Sequence, residues 1–203
     1  MTKEIEEYYK KVYSEKKVSE QEWIAGTANP ELVNLVYTNK IKPNSRVLEI
    51  GCGIGSESVF LAVRGMNVTA LDISESAISK ARELANVYDT KVNWKVGNIL
   101  TDDNLNEKFD VITDQGCFHH LSDEERVRYE EKVVKLLKPK GMFILRCFSD
   151  KIPGGPQPRR ISSDELIDTF HKDFKLERLE HVLSFSTQKR KFPLGWFSLW
   201  RER

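Results

Sequence analysis

The segment from 46 to 62, RVLEIGCGIGSESVFLA, constrains the fold more than any other part of the 203-residue chain. Apolar residues lead into three glycines within five positions, after which apolar residues return at helical spacing. A buried strand ending at Gly51 and a helix beginning near Ser56 account for the two flanks. The turn between them uses Gly53 and Gly55, which let backbone N–H groups and the positive end of a helix approach a ligand. The pattern predicts a cradle for a nucleotide-type cofactor, although glycines also serve ordinary tight turns.

Strand-like and helical segments alternate along the chain. The strand-like segments, rich in Val, Ile, Leu and Phe, lie at 46–51, 67–72, 91–96, 109–114 and 141–148. Such alternation is typical of a parallel sheet with crossover helices. Two later runs, FKLERLEHVLSF and PLGWFSLWRER, have no helical pattern between them and are predicted to pair antiparallel at the sheet edge. We therefore expect an α/β fold: a Rossmann-like, doubly wound seven-stranded sheet in an α/β/α sandwich, mostly parallel, with an antiparallel C-terminal hairpin.

Capping signals and breakers place several helix and loop boundaries. Ser122 with Glu125, and Ser162 with Glu165, have the spacing of a capping box, which predicts a helix after each serine. The stretch 149–161 is dense in Pro and Gly, so neither a helix nor a central strand fits it. We expect a long loop there, at the end of a strand, where loops often act as lids.

The N-terminal region is predicted to be helical. Asn29 has the residue type of a helix cap, and Pro30 suits the first helical position. Helices are expected around 2–15 and 30–40, before the first strand. Residues 1–42 are expected to cover the site at the carboxyl edge of the sheet.

Composition narrows the class of protein. The chain is 39% hydrophobic and 31% charged, with a net charge of +1, which favours a single domain spanning 1–203. Its basic residues are dispersed, which argues against a nucleic-acid substrate. No apolar run has the length of a membrane span, and the start of the chain lacks a signal-peptide core. Cys52, Cys117 and Cys147 are odd in number and lack disulfide spacing, so we expect a cytoplasmic protein. The sequence does not indicate an oligomeric state.

An acidic residue follows the glycine turn at a suitable distance. The second strand ends in Asp72, the position at which a carboxylate accepts hydrogen bonds from both ribose hydroxyls. Asp72 could instead cap the next helix, but Ser74 is better placed for that role. A carboxylate here excludes a 2′-phosphate, and Ser56 stands where a dinucleotide pattern has its third glycine. The cofactor therefore carries one unphosphorylated ribose.

These landmarks together resemble the class I S-adenosylmethionine-dependent methyltransferases. LEIGCGIG, the acidic end of strand two, VGNIL, FDVITD and LLKPKG follow in that family's order, and the resemblance covers nearly all of the chain from Arg46. It implies S-adenosyl-L-methionine as cofactor, with S-adenosyl-L-homocysteine as product. The cofactor-binding residues it implies are Glu49, Gly51, Cys52, Gly53, Gly55, Asp72, Ile73, Asn98, Ile99, Asp114 and Gln115.

The resemblance also implies individual roles. The glycines would pack against the methionine part, Ile73 would lie against the adenine, and Asn98 with Ile99 would recognise the adenine edge. The family more often has Asp at position 98, so the contact of the Asn98 amide oxygen with the adenine amino group should be weaker. Asp114 is expected to contact the ammonium group of the cofactor rather than act as a base.

The exit of the fourth strand, DQGCFHHLSDEER, resembles a subgroup related to the thiopurine and thiol methyltransferases. Gln115 replaces an Arg of that subgroup, which leaves the charge preference for substrates open. His119 and His120 are the candidate catalytic residues, to accept a proton or orient the acceptor, with His119 favoured as the functional one. Trp23, in a segment loosely similar to a Trp-x-x-Gly run, would help to cover the cofactor; a core role fits it equally well.

The function expected is methyl transfer to a small molecule, a thiol or a hydroxyl. The subgroup supports this, and no Asn-Pro-Pro-Tyr-like run of nitrogen-methylating enzymes is present. Arg146 could attract an anionic acceptor. Arg159 and Arg160 leave open a methyltransferase acting on protein or RNA, and the departures at Asn98 and Gln115 leave open a non-catalytic binding module.

The three cysteines give a further alternative. Each follows or ends a different parallel strand, so the three thiols could meet at one edge of the sheet and hold a soft centre such as arsenite. Ordinary packing of buried cysteines is the more common outcome, and no resident metal is expected.

Overall fold

The computed structural model describes residues 3–21, 23–24, 26–152, 158–183 and 194–203. Its helices, with two short 3₁₀ segments at Val18–Glu20 and Phe118–His120, are α1 (Lys3–Glu15), α2 (Pro30–Tyr37), α3 (Ser56–Val63), α4 (Glu75–Val87), α5 (Asp123–Leu136) and α6 (Ser163–Phe170). Its strands are β1 (Arg46–Ile50), β2 (Asn67–Asp72), β3 (Asn93–Val96), β4 (Phe109–Gln115), β5 (Leu137–Phe148), β6 (Phe174–Leu183) and β7 (Leu194–Glu202).

All seven strands belong to one sheet, in the order β3-β2-β1-β4-β5-β7-β6. The pairings among β3, β2, β1, β4 and β5 are parallel. The last strand, β7, lies between β5 and β6 and is antiparallel to both. The predicted doubly wound, mostly parallel sheet with an antiparallel hairpin is confirmed.

Two separate apolar cores on the two faces of the sheet make the molecule three-layered. Alternate residues of a strand point to opposite faces, and neighbours such as Val47 and Leu48 accordingly belong to different cores. One core packs the sheet against α5 and α6, and the other packs it against α2 and α3. In the first core the rings of Phe143, Phe170 and Trp200 follow one another with centroids 5.3 Å apart. Each such buried ring contributes about 1.5–3 kcal/mol.

The fifth strand begins earlier than predicted. Leu137 follows the last residue of α5 directly and pairs with Phe109, and the register then shifts so that Val111 pairs with Met142. The residues between loop out of the ladder, and Lys140 has φ +62° there. The predicted start at 141 marks the point at which regular pairing resumes.

The side chain of Asn29 does not form the predicted cap, although the residue stands at the predicted position. Asn29 occupies the N-cap position and Pro30 follows as the first helical residue, as predicted, but no side-chain cap forms. The Asn29 amide Nδ2 instead donates to Glu57 Oε1 at 2.5 Å, and its backbone N–H donates to the same oxygen at 3.1 Å. A buried carboxylate that needs donors outcompetes the cap.

The other boundary predictions agree with the structure. Both capping boxes form, Ser122 with Glu125 and Ser162 with Glu165. The predicted N-terminal helices are α1 and α2. Of the predicted loop at 149–161, residues 153–157 lie outside the described residues. No helix in the described part of the chain is long and apolar enough to cross a membrane.

Candidate active site

The glycine turn has the backbone conformation that its sequence predicts. Gly51, Gly53 and Gly55 all have left-handed φ values, +69°, +53° and +79°, which side-chain-bearing residues rarely adopt. A Cβ at Gly51 would lie 3.2 Å from Cys117 Cβ, and one at Gly53 would lie 2.7 Å from Tyr13 Oη. Backbone is therefore the only group that fits at these two positions.

Asp72 connects the glycine turn to the next strand. Its Oδ2 accepts from the Gly53 N–H at 2.8 Å, and its Oδ1 accepts from the Ser74 N–H at 2.9 Å. Ser74 caps α4 by accepting from the Ala77 N–H at 3.2 Å. The prediction that Ser74, and not Asp72, caps this helix is therefore confirmed. Burial raises the pKa of Asp72, and hydrogen bonds from backbone N–H groups act against that rise.

A cavity of ≈ 220 Å³ opens at the carboxyl ends of β1, β2, β4 and β5, where ligands bind in open α/β sheets. The predicted site residues that line it are Trp23, Glu49, Gly51, Cys52, Gly53, Asp72, Ile73, Asn98, Ile99, Gln115, His119 and His120. Two predicted residues, Gly55 and Asp114, are absent from the lining. The fold thus brings together side chains from five segments of the chain.

Gly55 packs against Trp94 and Ala81 and does not line the cavity. A Cβ there would lie 2.6 Å from the Trp94 ring and 2.9 Å from Ala81 Cβ. Gly55 is the N-cap of α3 in left-handed conformation. The absence of a side chain therefore lets α3 begin close to β3 and α4, and the contact of Gly55 with the cofactor stays a prediction.

Asp114 has protein partners for both of its oxygens. It is buried, and its Oδ1 accepts from the Cys117 N–H at 2.8 Å while its Oδ2 accepts from the Phe118 N–H at 3.0 Å and the Tyr129 hydroxyl at 2.6 Å. Burial raises the pKa of Asp114 to about 7. Asp114 thus holds the turn that carries the histidines, and its contact with an ammonium group stays a prediction.

The two histidines are held in different ways. The backbone N–H of Phe148 donates to His119 Nδ1 at 3.1 Å, so this nitrogen acts as an acceptor. His120 Nε2 lies 2.7 Å from the Tyr9 hydroxyl, and burial lowers the pKa of His120 to about 4. The His120 imidazole is therefore uncharged near pH 7.

Two tyrosines of α1 complete the cavity, and neither was predicted. Tyr9 reaches His120, and Tyr13 Oη accepts from Trp23 Nε1 at 3.2 Å above Gly53. The Lys80 ammonium group donates to the carbonyl of Tyr13 and fixes the end of the helix. The sequence does carry a signal, because Tyr9 and Tyr13 are four residues apart and share one face of α1.

Buried carboxylates dominate the charge of the cavity. Among the residues that the structure describes, Glu49, Glu57 and Asp72 line it together with the guanidinium group of Arg146. Burial and the neighbouring Glu57 raise the pKa of Glu49 well above its usual range, and Ser58 donates to Glu49 Oε2. A cationic ligand placed among these carboxylates would relieve both effects. A sulfonium with an ammonium group and a ribose fits this donor set and the bare glycine turn.

Arg146 forms the opposite wall. Its Nη1 lies 3.7 Å from Glu31 Oε2, and its Nη2 donates to the Leu183 carbonyl at 3.2 Å. Among the other arginines named from the sequence, Arg159 pairs with Asp123 and Glu165 at the surface. The structure therefore places Arg146, and not Arg159, at the cavity.

The three cysteines line the same cavity but do not form a centre. Cys52, Cys117 and Cys147 are buried free thiols, and burial raises the pKa of each. Within the described ranges, no group of three His, Cys, Asp or Glu side chains is arranged to hold a metal ion. Thiols that stay protonated and apart act as packing groups, so the arsenite alternative has no support.

Comparison with known proteins identifies relatives of the whole fold. A family model described as a methyltransferase domain matches residues 47–141. Thiocyanate methyltransferase 1 of Brassica oleracea is 33% identical over 181 residues, covering 85% of this chain and 77% of that protein. A solved structure described by the words "Conversion of a Disulfide Bond into a Thioacetal Group during Echinomycin Biosynthesis" has a TM-score of 0.85 at 23% identity, covering 98% of this chain and 93% of the other.

A second solved structure is similar and holds ligands. It is the 1,6-didemethyltoxoflavin-N1-methyltransferase of Burkholderia thailandensis with bound 1,6-didemethyltoxoflavin and S-adenosylhomocysteine. Its TM-score is 0.76 at 19% identity, and the match covers 98% of this chain and 87% of that one. At this identity the likeness shows the fold.

Proposed function

The chain belongs to the S-adenosylmethionine-dependent methyltransferases, and from that premise we propose that it methylates a small sulfur nucleophile, a thiol or thiocyanate, on its sulfur atom. Bound S-adenosylmethionine supplies an electrophilic methyl group on a positively charged sulfur. The work left to the protein is to hold both reactants in line and to exclude water, and good alignment alone supplies roughly 7–11 kcal/mol.

The cofactor side of the cavity follows from the glycine turn. Gly51 and Gly53 would let the methionine part approach the backbone, and Asp72 would accept from the ribose hydroxyls. Glu49 and Glu57 would face the cationic groups. Support comes from the left-handed glycines and from the surplus of buried carboxylates in the lining.

The weak basicity of His120 and the occupied Nδ1 of His119 carry the proposal for the acceptor. His120 has a pKa of about 4 and its Nε2 contacts Tyr9, while the Nδ1 of His119 is occupied by the Phe148 N–H. A hydroxyl acceptor has to lose a tightly held proton to a base, whereas a thiol with a pKa near 8.5 ionises readily and thiocyanate is already an anion. The histidines then orient the acceptor rather than remove its proton.

The surroundings of the acceptor agree with a soft anion. Cys147 and Phe148 contribute apolar surface beside the histidines, which removes water from a nucleophile. Arg146 places a buried positive charge in the same lining. The relative at 33% identity is named for thiocyanate.

The same reasoning bears on partners and location. Arg159, which suggested a macromolecular substrate, is already paired with Asp123 and Glu165, so we propose a small-molecule acceptor and no nucleic acid. We propose a cytoplasmic location because the three thiols are free.

A methyl-transfer screen with labelled S-adenosylmethionine tests the proposal. Matched acceptors that differ in one atom, thiophenol and phenol, are compared with thiocyanate between pH 6 and 9. We expect the thiol and thiocyanate to be methylated and phenol to react at least about 100-fold more slowly. The thiol rate should rise with its ionisation, and the thiocyanate rate should be flat over this range. Equal or faster transfer to phenol would contradict the proposal.

A further inference from the structure

A hydrogen bond between α1 and the end of β3 bears on how the base of the cofactor is recognised. We propose that Glu6 is a cofactor-binding residue, whose carboxylate accepts the hydrogen bond of the adenine amino group while Asn98 holds that carboxylate in place. This inference deepens the proposed function: it rests on S-adenosylmethionine being the cofactor and is independent of the acceptor.

Asn98 stands at the position from which a base next to the ribose would be read. It lines the cavity, and the residue before it, Gly97, donates its N–H to the carbonyl of Asp72 at 2.9 Å. Asp72 is the proposed ribose ligand. The group beyond the ribose in an adenosyl compound is the adenine, so the side chain at position 98 and its partners belong to the base end of the cavity.

Two partners fix the orientation of the Asn98 amide. Its Oδ1 accepts from the Leu100 N–H at 2.9 Å, and its Nδ2 donates to Glu6 Oε1. An N–H group can face only the oxygen, and a carboxylate can face only the NH₂ group, so the amide cannot be reversed without losing both bonds. One of the two acceptor positions of the Asn98 amide oxygen is thus used by its own turn.

This orientation makes Glu6 the acceptor with the most positions to offer beside Asn98. The adenine amino group is a donor and needs an acceptor, whereas the Asn98 NH₂ group is itself a donor. A carboxylate has about four acceptor positions, and the bond from Asn98 uses one of those on Glu6. The Glu6 side chain is 23% exposed, and Lys10 lies 3.8 Å away. Glu6 is therefore a partly buried carboxylate one hydrogen bond from the cavity lining.

The placement of Glu6 on α1 gives the contact a second consequence. Glu6, Tyr9 and Tyr13 are spaced by three and four residues and share one helix face. Tyr9 contacts His120, and Tyr13 lies above Gly53. Recognition of the base by Glu6 would thus hold the same helix that covers the histidines and the glycine turn.

Calorimetric binding of S-adenosylhomocysteine to the full chain tests the inference. The second probe is S-inosylhomocysteine, in which a carbonyl replaces the adenine amino group. We expect Glu6→Ala to weaken S-adenosylhomocysteine binding roughly tenfold or more and to reduce the preference for adenine over hypoxanthine to below about threefold. Glu7→Ala, an exposed neighbour on the same helix, should match the unmodified protein in both measurements. Retention of both the affinity and the base preference in Glu6→Ala would overturn the inference.

A charge swap gives an independent readout. Asn98→Asp alone should weaken binding, because two carboxylates then face each other. Combining it with Glu6→Ala should recover the adenine preference, since the carboxylate introduced at position 98 becomes the acceptor; an equally poor double variant would count against the inference. Because binding is read without an acceptor, the base contact can fail while thiol methylation holds, or the reverse.

Discussion

The two ends of the cavity are built in different ways. At the proposed cofactor end the key bond joins Gly53 to Asp72, 19 residues apart, across one strand–turn–helix–strand unit. At the proposed acceptor end the key bond joins Tyr9 to His120, 111 residues apart, and the surface includes side chains from α1, the histidine turn and β5. The two ends thus differ in how far along the chain their central hydrogen bond reaches, although the contact between Glu6 and Asn98 links the cofactor end to α1 as well.

The largest expected effect is at the cofactor end. Asp72→Ala should reduce S-adenosylhomocysteine affinity by about 100-fold, which is about 3 kcal/mol, because charge-assisted bonds to the ribose are lost. Titration calorimetry measures it. Asp168→Ala, on the exposed side of α6, is the matched control and should bind normally. If Asp72→Ala is folded by circular dichroism and binds with unchanged affinity, then Asp72 does not contact the ribose. The contrast between the two ends of the cavity would then be lost.

A smaller effect should show whether Asp114 stabilises the histidine turn or binds the cofactor. Asp114→Asn removes one acceptor oxygen, so a buried N–H near the histidine turn loses its partner, and the free energy of unfolding should fall by about 2 kcal/mol. Affinity for S-adenosylhomocysteine should change by less than about threefold. Urea unfolding and calorimetry measure the two quantities, with Asp168→Asn as control. A large loss of affinity at unchanged stability would restore Asp114 to the cofactor contacts.

The smallest effect is a pH dependence at the acceptor end. Burial lowers the pKa of His120 from 6.5 to about 4, so between these values the unfolded chain binds a proton that the folded chain does not. The stability linked to His120 is complete above pH 6.5 and is lost as the pH falls towards 4. The difference in unfolding free energy between the unmodified protein and His120→Gln should therefore shrink by about 1.5 kcal/mol from pH 7 to pH 5. If the unfolding free energies of the two proteins instead differ by the same amount at pH 7 and pH 5, His120 is not buried as a neutral ring.

Much of the cofactor end could be predicted because its signals are local. The glycine turn, the acid at the end of β2 and the capping serines all act over a few residues, and the parallel order of the strands follows from their alternation with helices. Six of the twelve predicted residues in the lining lie around the glycine turn and the end of β2: Glu49, Gly51, Cys52, Gly53, Asp72 and Ile73.

The contacts that the sequence did not predict join residues far apart in the chain. Asn29 was assigned to a cap because the sequence does not reveal that Glu57, 28 residues later, needs its donors. Asp114 was assigned to the cofactor because nothing local shows that the Tyr129 hydroxyl and the Cys117 N–H donate to it. Tyr9 and Glu6 act only after α1 has docked. In each case a polar group pairs with a residue that only the folded chain brings close, and spacing in the sequence does not indicate such a partner.

The position of β7 has a consequence for synthesis. Residues 194–202 pair with β5 on one side and β6 on the other, and they bury Trp196, Phe197 and Trp200. While a ribosome still holds this segment, β6 has emerged but has no neighbour to join, and the aromatic core beneath it stays open to water. The nascent chain therefore exposes apolar surface until β7 is available to pair. We expect chaperone binding to be greatest at that stage and to end once residue 202 has left the exit tunnel.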